Sequence, residues 1–379
     1  MSLPPSVINE VRNTVVQNRL APSAETLTPL IRAHSRVLSH VELVEAVEEV
    51  LATFAGLGPL EELIGLPNVT DILVNGPENV WIDRGEGLER THVAWTCDDD
   101  VRNFAVRLAS SANRRLDEAN PFVDVRLANG IRFHALLRPL AEHTTISLRI
   151  PARKVIPLEQ HVEMGTISET GSQILRDVIS ARVSFLVCGG TGTGKTTILG
   201  SLLSEVDERE RIVVVEDSTE LVIAHPHVIS LQSRLANIEG LGEVNLRSLI
   251  RQSLRMRPDR IVVGEVRGVE VTDLLSALNT GHQGGCGTIH ANSAESVPAR
   301  IESLGLMAGL PTPAIHSELA CAVQLIIEMK PVDLGRRVVS GIHVTKLNES
   351  GIVTVIPAID FASPQYRAPG FASLRRLLN

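Results

Sequence analysis

A glycine-rich segment near the middle of the chain combines the residue types and the spacing that a polyphosphate ligand requires. Residues 189–197 read Gly-Gly-Thr-Gly-Thr-Gly-Lys-Thr-Thr, directly after the apolar run Phe185 to Cys188. Polyphosphate is held by several backbone N–H groups that turn inward, and glycine lets the backbone approach because it has no side chain. The pattern predicts a strand, a phosphate-binding loop and a helix, in that order.

The residues that follow the glycines add charge and a metal ligand. Lys195 can reach the outer phosphates, the Thr196 hydroxyl can bind Mg²⁺, and Thr197 is expected near the α-phosphate. A glycine-rich turn without a ligand is the alternative, but the flanking strand and helix favour a nucleotide site. The expected nucleotide-binding residues are Gly190, Thr191, Gly192, Thr193, Gly194, Lys195, Thr196 and Thr197.

A carboxylate is expected at the same edge of the sheet. Glu265 follows the predicted strand Arg260 to Gly264 and is followed by Arg267. A carboxylate at the C-terminal end of a strand next to a phosphate loop can bind Mg²⁺ through water or polarise the attacking water. Asp259 precedes the strand, so it is expected at the opposite edge and is not selected as the metal carboxylate.

A second acidic cluster and a histidine complete the candidate chemistry. Residues 216–220 read Glu-Asp-Ser-Thr-Glu and close the predicted strand Arg211 to Glu216. A solvated turn and a nucleotide-site role both remain open for this cluster. His290, in the glycine-rich segment Thr280 to Asn292, can sense the γ-phosphate or hold the catalytic carboxylate, although most histidines have only structural roles.

Arginines supplied from another domain or subunit commonly neutralise the charge that develops on a γ-phosphate. Arg132 and Arg149 lie near the predicted linker and are the candidates for this role. Most of the other arginines are expected to be solvated.

Composition limits the class of protein. The chain has 379 residues, 44% of them hydrophobic, with a formal net charge of −8 and 3% aromatic residues. Such a chain can bury a large core but has neither the basic field nor the stacking platforms of a non-specific nucleic-acid binder. The four cysteines are isolated, which argues against zinc, and no apolar run approaches eighteen residues. A cytoplasmic location is expected, with membrane contact only through partners.

The pattern of hydrophobic residues predicts four regions. Residues 1–56 form a helical arm whose apolar positions are Val37, Val41, Val44, Val47, Leu51 and Phe54, and residues 57–150 form an α+β domain. In that domain we expect a β-meander, a helix over 98–116, and a hairpin around Asn129-Gly130, then a strand over 145–150. Residues 151–158 are a linker, and residues 159–379 alternate strands and helices as an α/β domain with a mostly parallel sheet.

Taken together, these motifs resemble the secretion and type IV pilus ATPases, most closely the CpaF-like ATPases of Tad (Flp) pilus assembly. The four boxes of that family are present in order: Walker A at 189–197, an aspartate box at 216–220, Walker B at 257–267 and a histidine box from Thr280 to Asn292. Residues 57–61 and 70–76 extend the resemblance to the N-terminal domain.

The resemblance implies a RecA-like P-loop ATPase domain after a smaller, PAS-like α+β domain. It implies that ATP and Mg²⁺ are the cofactors, Glu265 is the Walker B glutamate, and Glu220 is the catalytic carboxylate of the aspartate box. His290 would lie near the γ-phosphate, and Arg132 and Arg149 would reach the phosphates. The family forms homo-hexameric rings that pass force to an inner-membrane platform protein.

Two departures and two alternatives accompany this resemblance. The Walker A loop carries Gly190 and Thr193 where proline or alanine and serine are commoner, and no tetracysteine zinc module is present. A DNA-translocating motor on the same core and a nucleotide-gated regulator with little turnover remain the rival functions. The leading expectation is a Mg²⁺-dependent ATP hydrolase in which Glu220 or Glu265 orients the water.

Overall fold

The computed structural model describes residues 56–85, 87–127, 130–151, 155–234, 236, 241–332, 336–362 and 366–379. Within the first fifty residues it describes 7, 10–11, 14–15, 24–34, 43–44, 46–47 and 50. The chain divides into two compact units, Met1–Pro151 and Ala152–Asn379. The finer division into an arm, a domain, a linker and an ATPase domain stays a prediction.

The first unit begins with helical segments that have an apolar cluster of their own. Helix α1 spans Ala24–His34, and its Leu27 and Ile31 are buried against Val11, Val15 and Val47. Val44, assigned to the apolar face from its spacing, is instead 47% exposed. The other apolar positions proposed for the arm at 37, 41, 51 and 54 lie outside the described residues.

The remainder of the first unit is an antiparallel sheet with a helix on one face. A short helix, α2, spans Glu61–Ile64, and α3 spans Asp98–Ser111. The strands are β1 Asp71–Asn75, β2 Val80–Asp83, β3 Leu88–Arg90, β4 Phe122–Arg126, β5 Arg132–Leu136 and β6 Thr145–Arg149. They pair in the order β3-β2-β1-β6-β5-β4.

Alternation of side chains explains why this sheet is covered on one face. Ile72, Phe133 and Leu148 point to the core, where they join Phe104 and Leu108 of α3. The next residue along each strand points to the other face and is less buried, as expected for a period of two. The helix predicted to reach residue 116 ends earlier, near Asn113, whose φ of 54° is incompatible with a continuing α-helix. Asn129 of the predicted hairpin turn lies outside the described residues.

The second unit alternates strands and helices. Its helices are α4 Leu158–Glu163, α5 Glu169–Ser180, α6 Lys195–Leu203, α7 Leu246–Ser253, α8 Val271–Asn279, α9 Val297–Met307, α10 Thr312–Ala322 and α11 Phe371–Leu378. Its strands are β7 Phe185–Gly189, β8 Ile212–Glu216, β9 Val228–Gln232, β10 Arg260–Val266, β11 Cys286–His290, β12 Leu325–Pro331, β13 Arg337–Leu347 and β14 Val353–Asp360.

These eight strands form one sheet in the order β14-β13-β12-β7-β11-β10-β8-β9. The six strands from β12 to β9 are parallel, and β13 and β14 add antiparallel strands at one side. Helices α4, α5, α6 and α11 contribute to the core on one face, and α7 to α10 to the core on the other. Strands buried on both faces must be apolar throughout, which is why β7 and β8 read as continuous hydrophobic runs.

The predicted fold class is confirmed, including the antiparallel extension, with differences in detail. Strand β10 continues two residues beyond the predicted end at Gly264, so Glu265 lies within the strand, next to an irregularity in its pairing with β11. Sequence patterns did not reveal α4, α5, β9 or α11. Among the described residues, no helix combines the length and the apolarity required to cross a bilayer.

Candidate active site

The phosphate loop connects β7 to α6, as the glycine spacing predicts. Gly194 precedes α6 with a φ of 88°, a conformation that favours glycine over residues with a Cβ atom. Lys195 opens the helix and is only 6% exposed, and its Nζ donates a hydrogen bond to the Gly190 carbonyl at 2.7 Å. Thr193 Oγ1 donates to the same carbonyl at 3.0 Å. The loop is therefore closed by its own lysine and threonine.

The parallel register brings the predicted residues to one edge of the sheet. His290, the last residue of β11, is paired with Gly189, the last residue of β7. Glu216 ends β8, and Glu265 lies near the end of the neighbouring β10. Since carboxyl ends of parallel strands share an edge, these side chains surround the loop, at the position where open α/β sheets bind ligands.

Four of these side chains form a continuous chain of polar contacts. Lys195 Nζ lies 3.5 Å from His290 Nδ1, and His290 Nε2 lies 3.0 Å from Glu265 Oε1. The other carboxylate oxygen, Glu265 Oε2, accepts a hydrogen bond from Arg267 Nη2. A lysine ammonium can only donate, so His290 Nδ1 accepts and the proton of the neutral ring is on Nε2, facing Glu265. The histidine thus connects Lys195 of the phosphate loop to the carboxylate of Glu265.

Burial and neighbouring charges act on this chain. Burial lowers the pKa of Lys195, while the charges of Glu265 and Glu220 oppose that change. Burial, followed by the Lys195 charge, also lowers the pKa of His290, which favours the neutral ring. A hydrogen bond to Glu265 raises the pKa of Arg267. Arg267 is consequently charged at pH 7, and most of the His290 rings are neutral.

The aspartate box is held in place by its first glutamate. Glu216 is buried, and its Oε1 accepts hydrogen bonds from the backbone N–H groups of Glu220 and Leu221, both at 3.0 Å. The side chain of Glu216 packs against Gly264 of β10. A Cβ atom at residue 264 would lie 2.5 Å from Glu216 Cγ, so only glycine leaves room for the glutamate. Glu220 remains half-buried at the edge of the sheet.

Two residues of the sequence motifs lie at the opposite edge of the sheet. His282 is separated from His290 by the length of β11 and contacts the Ala277 carbonyl at the opposite edge. Asp259 is also at that edge, as expected, and accepts a hydrogen bond from the Arg211 N–H. The histidine box is therefore split by a strand, and only its second histidine lies beside the loop.

Arg132 and Arg149 lie in the first unit and already have carboxylate partners. Arg132 binds both oxygens of Asp124, at 3.0 and 2.6 Å, and Arg149 Nε lies 3.1 Å from Asp71 Oδ1. The sheet register places the two arginines directly opposite each other on β5 and β6. Both arginines lie on the less buried face of that sheet, at the end of β6, and each is paired with an aspartate.

Sequence reasoning missed two residues of the site. Arg267 was noted only as the neighbour of Glu265, although a spacing of two along a strand places both side chains on one face. Glu216 was treated as one member of an acidic turn, whereas it is the buried acceptor that shapes this turn. A glutamate that directly ends an apolar strand was the available signal.

A family model described as type II/IV secretion system protein matches residues 53–348. The match covers more than half of the chain. The chain belongs to this family. Members are ATPases that use ATP with Mg²⁺, and the chain is accordingly an ATP hydrolase of the type IV secretion and pilus class.

Relatives with curated descriptions extend over most of the chain. A putative conjugal transfer protein of Mycobacterium tuberculosis is 45% identical over 326 residues, covering 84% of this chain and 93% of the relative. The type IV secretion system protein PtlH of Bordetella pertussis is 30% identical over 299 residues, covering 72% and 87%.

Solved structures share the fold of this family member. The pilus retraction motor PilT with bound ADP superposes with a TM-score of 0.51 at 21% identity, covering 79% of this chain and 81% of PilT. The ATPase DotB of Yersinia pseudotuberculosis gives a TM-score of 0.52 at 17% identity, with 84% of each chain covered. An N-terminal domain followed by a RecA-like ATPase domain is thus the fold of this chain.

Proposed function

We propose that this ATP hydrolase is the ring motor of a Tad/Flp type IV pilus or of a related protein secretion machine. Six copies would form a ring, and hydrolysis in the second unit would drive movements passed to an inner-membrane platform protein. The proposal is supported by the contact of the phosphate-loop lysine, through His290, with the Walker B glutamate. The four motif boxes and the family membership point in the same direction.

In this proposal the described side chains divide the work of hydrolysis. Lys195 and the amides of residues 190–194 hold the outer phosphates, with Thr197 near the α-phosphate. Glu265 or Glu220 orients the attacking water, and His290 responds to the γ-phosphate and holds Glu265. Arg132 and Arg149 exchange their carboxylate partners for phosphate in the assembled ring, because guanidinium groups bind both anions in the same bidentate manner.

The residues at the loop are suited to magnesium. Thr196, half-buried at the start of α6, and Glu265 supply the hydroxyl and carboxylate oxygens that Mg²⁺ prefers. When bound, Mg²⁺ neutralises the charge of the phosphates and of the leaving group. Thr196 and Glu265 would hold the ion, Glu265 partly through water.

A variant that binds ATP without turnover tests the motor. We expect Glu265→Gln to lower kcat by about 10²- to 10³-fold, because the amide cannot take up a proton, while ATP still binds. Light scattering with Mg²⁺–ATP should then give the mass of six chains. Glu349→Gln, in the exposed turn between β13 and β14, is the matched control and should retain wild-type turnover. A monomer under all conditions would refute the ring motor, and normal turnover in Glu265→Gln would refute the role given to Glu265.

The machine that the motor serves requires a separate test in cells. A second candidate is a conjugal transfer apparatus, since a relative at 45% identity is described as a putative conjugal transfer protein. Cells in which the native gene carries Lys195→Ala should lose surface pili under the first proposal, and plasmid transfer under the second. A DNA translocase would also show ATP hydrolysis stimulated by DNA, which the net charge of −8 disfavours.

A further inference from the structure

Arg267 contacts the oxygen of Glu265 that His290 leaves available. His290 Nε2 is 3.0 Å from Oε1, and Arg267 Nη2 donates to Oε2. Each oxygen of the carboxylate therefore has one fixed donor, so the group cannot rotate freely about its terminal torsion. We propose that Arg267 is a positioning residue that sets the orientation of Glu265 for hydrolysis. This inference rests on the proposed role of Glu265.

The backbone that carries Arg267 is itself anchored. The N–H groups of Arg267 and Gly268 both donate to Glu270 Oε1 at 2.7 Å. Glu270 is buried at the start of α8, where its carbonyl accepts from the Leu274 N–H at 3.0 Å. Arg267 therefore projects from a fixed turn between β10 and α8. A donor on a fixed backbone holds its partner more exactly in place than a donor on a free loop.

Arg267 also lies among several carboxylates. Its pKa is raised first by Glu265, and the charges of Asp217 and Glu220 act in the same direction. Like charges repel, so the carboxylates of the Walker B and aspartate boxes benefit from a cation between them. Lys195 cannot serve this purpose once it binds phosphate. Among the described residues, Arg267 is then the cation that contacts Glu265.

Removal of this guanidinium should affect the chemical step and leave binding intact. In Arg267→Ala we expect kcat to fall about 10- to 100-fold, while KM for ATP changes less than about twofold, because Lys195 and the loop are untouched. Arg267→Lys should recover part of kcat, since it restores the charge but offers a shorter reach and no planar fork. Steady-state ATP hydrolysis and binding of a fluorescent ATP analogue measure the two quantities.

Arg182→Ala is the matched control. Arg182 has a similar exposure and also contacts a carboxylate oxygen, Glu210 Oε1 at 3.3 Å, but it precedes β7 and therefore lies at the opposite edge of the sheet from the phosphate loop. This variant should keep the wild-type kcat. Thermal unfolding of both variants checks that the fold is retained.

A double mutant separates this inference from the proposed function. With Glu265→Gln already present, Arg267→Ala should cause no further loss of kcat, because the oriented group is gone. Wild-type kcat in Arg267→Ala together with a strong defect in Glu265→Gln would overturn the inference alone. A raised KM with unchanged kcat would also overturn it, because it would make Arg267 a nucleotide-binding residue. Normal turnover in Glu265→Gln would overturn the proposed role of Glu265, and the inference with it.

Discussion

The two edges of the eight-stranded sheet use charged residues in different ways. At the edge where the parallel strands begin, Arg260 is 1% exposed, and its guanidinium binds both oxygens of Glu210 and the carbonyl of Ile179. At the edge where they end, Lys195, His290, Glu265 and Arg267 contact one another, yet Glu265 and His290 remain partly exposed.

The difference indicates which charges support the fold and which support chemistry. Arg260 has its hydrogen-bond partners inside the protein, so a ligand would have nothing to bind there. Lys195 has three donors but only two described acceptors, and Glu265 has lone pairs beyond its two contacts. The first edge is closed by its own groups, whereas the second keeps binding capacity for phosphate, metal and water.

The largest expected effect is the loss of stability when the buried pair of Arg260 and Glu210 is removed. Arg260→Ala leaves the carboxylate of Glu210 buried with fewer partners, and we expect a loss of about 3–5 kcal/mol in the free energy of unfolding. Urea denaturation measures this loss. Arg209→Ala removes an exposed, solvent-screened pair with Asp207 and should leave the free energy of unfolding nearly unchanged. Equal losses in the two variants would contradict the distinction drawn between the edges.

A substitution at the edge where the parallel strands end should change ATP affinity and not the free energy of unfolding. Lys195→Ala removes a charged donor to phosphate, and we expect ATP affinity to fall about 100-fold, or roughly 2.7 kcal/mol. The free energy of unfolding should stay the same or rise, since burial already opposes the charge of this ammonium. Titration with a fluorescent ATP analogue tests the first point, and exposed Lys346→Ala is the control. Unchanged affinity would show that the loop lysine does not contact the ligand.

The smallest effect should be the pH dependence of His290. Because the pKa of His290 lies below the ordinary value of about 6.5, most of the rings stay neutral as the pH falls from 8 to 6.5. ATP hydrolysis should therefore change less than about twofold over this range and decrease only below it, when protonation of Nδ1 removes the acceptor for Lys195. The pKa of His290 is lower in the folded chain than in the unfolded chain. As the pH falls below 6.5, the unfolded chain takes up the proton first, so the free energy of unfolding decreases.

Histidines at the two edges provide the control for this experiment. His290→Gln should remove the decrease below pH 6.5, at a lower overall rate, whereas His282→Gln at the opposite edge should leave the pH profile unchanged. A decrease that begins above pH 6.5, or one that persists in His290→Gln, would contradict the assignment. Rates of ATP hydrolysis measured from pH 5.5 to 8.5 decide between these outcomes.

The sequence alone was sufficient for the local features of the second unit. Glycine spacing predicts the loop over residues 189–194, because only glycine permits that backbone so close to phosphate. Continuous apolar runs predict β7, β8 and β10, and a polar residue after each run predicts which residues share an edge. These conclusions depend on residues that are near one another in the chain. The family of the chain followed from the same boxes.

Only the tertiary structure decided which side chains touch. The register of β7, β11 and β10 determines that His290 lies between Lys195 and Glu265. Strand β11 separates His282 from these residues. Pairing of β5 with β6 places Arg132 opposite Arg149 and each beside an aspartate. Contacts across strands depend on register, and register is set by the packing of the whole sheet and not by any single segment.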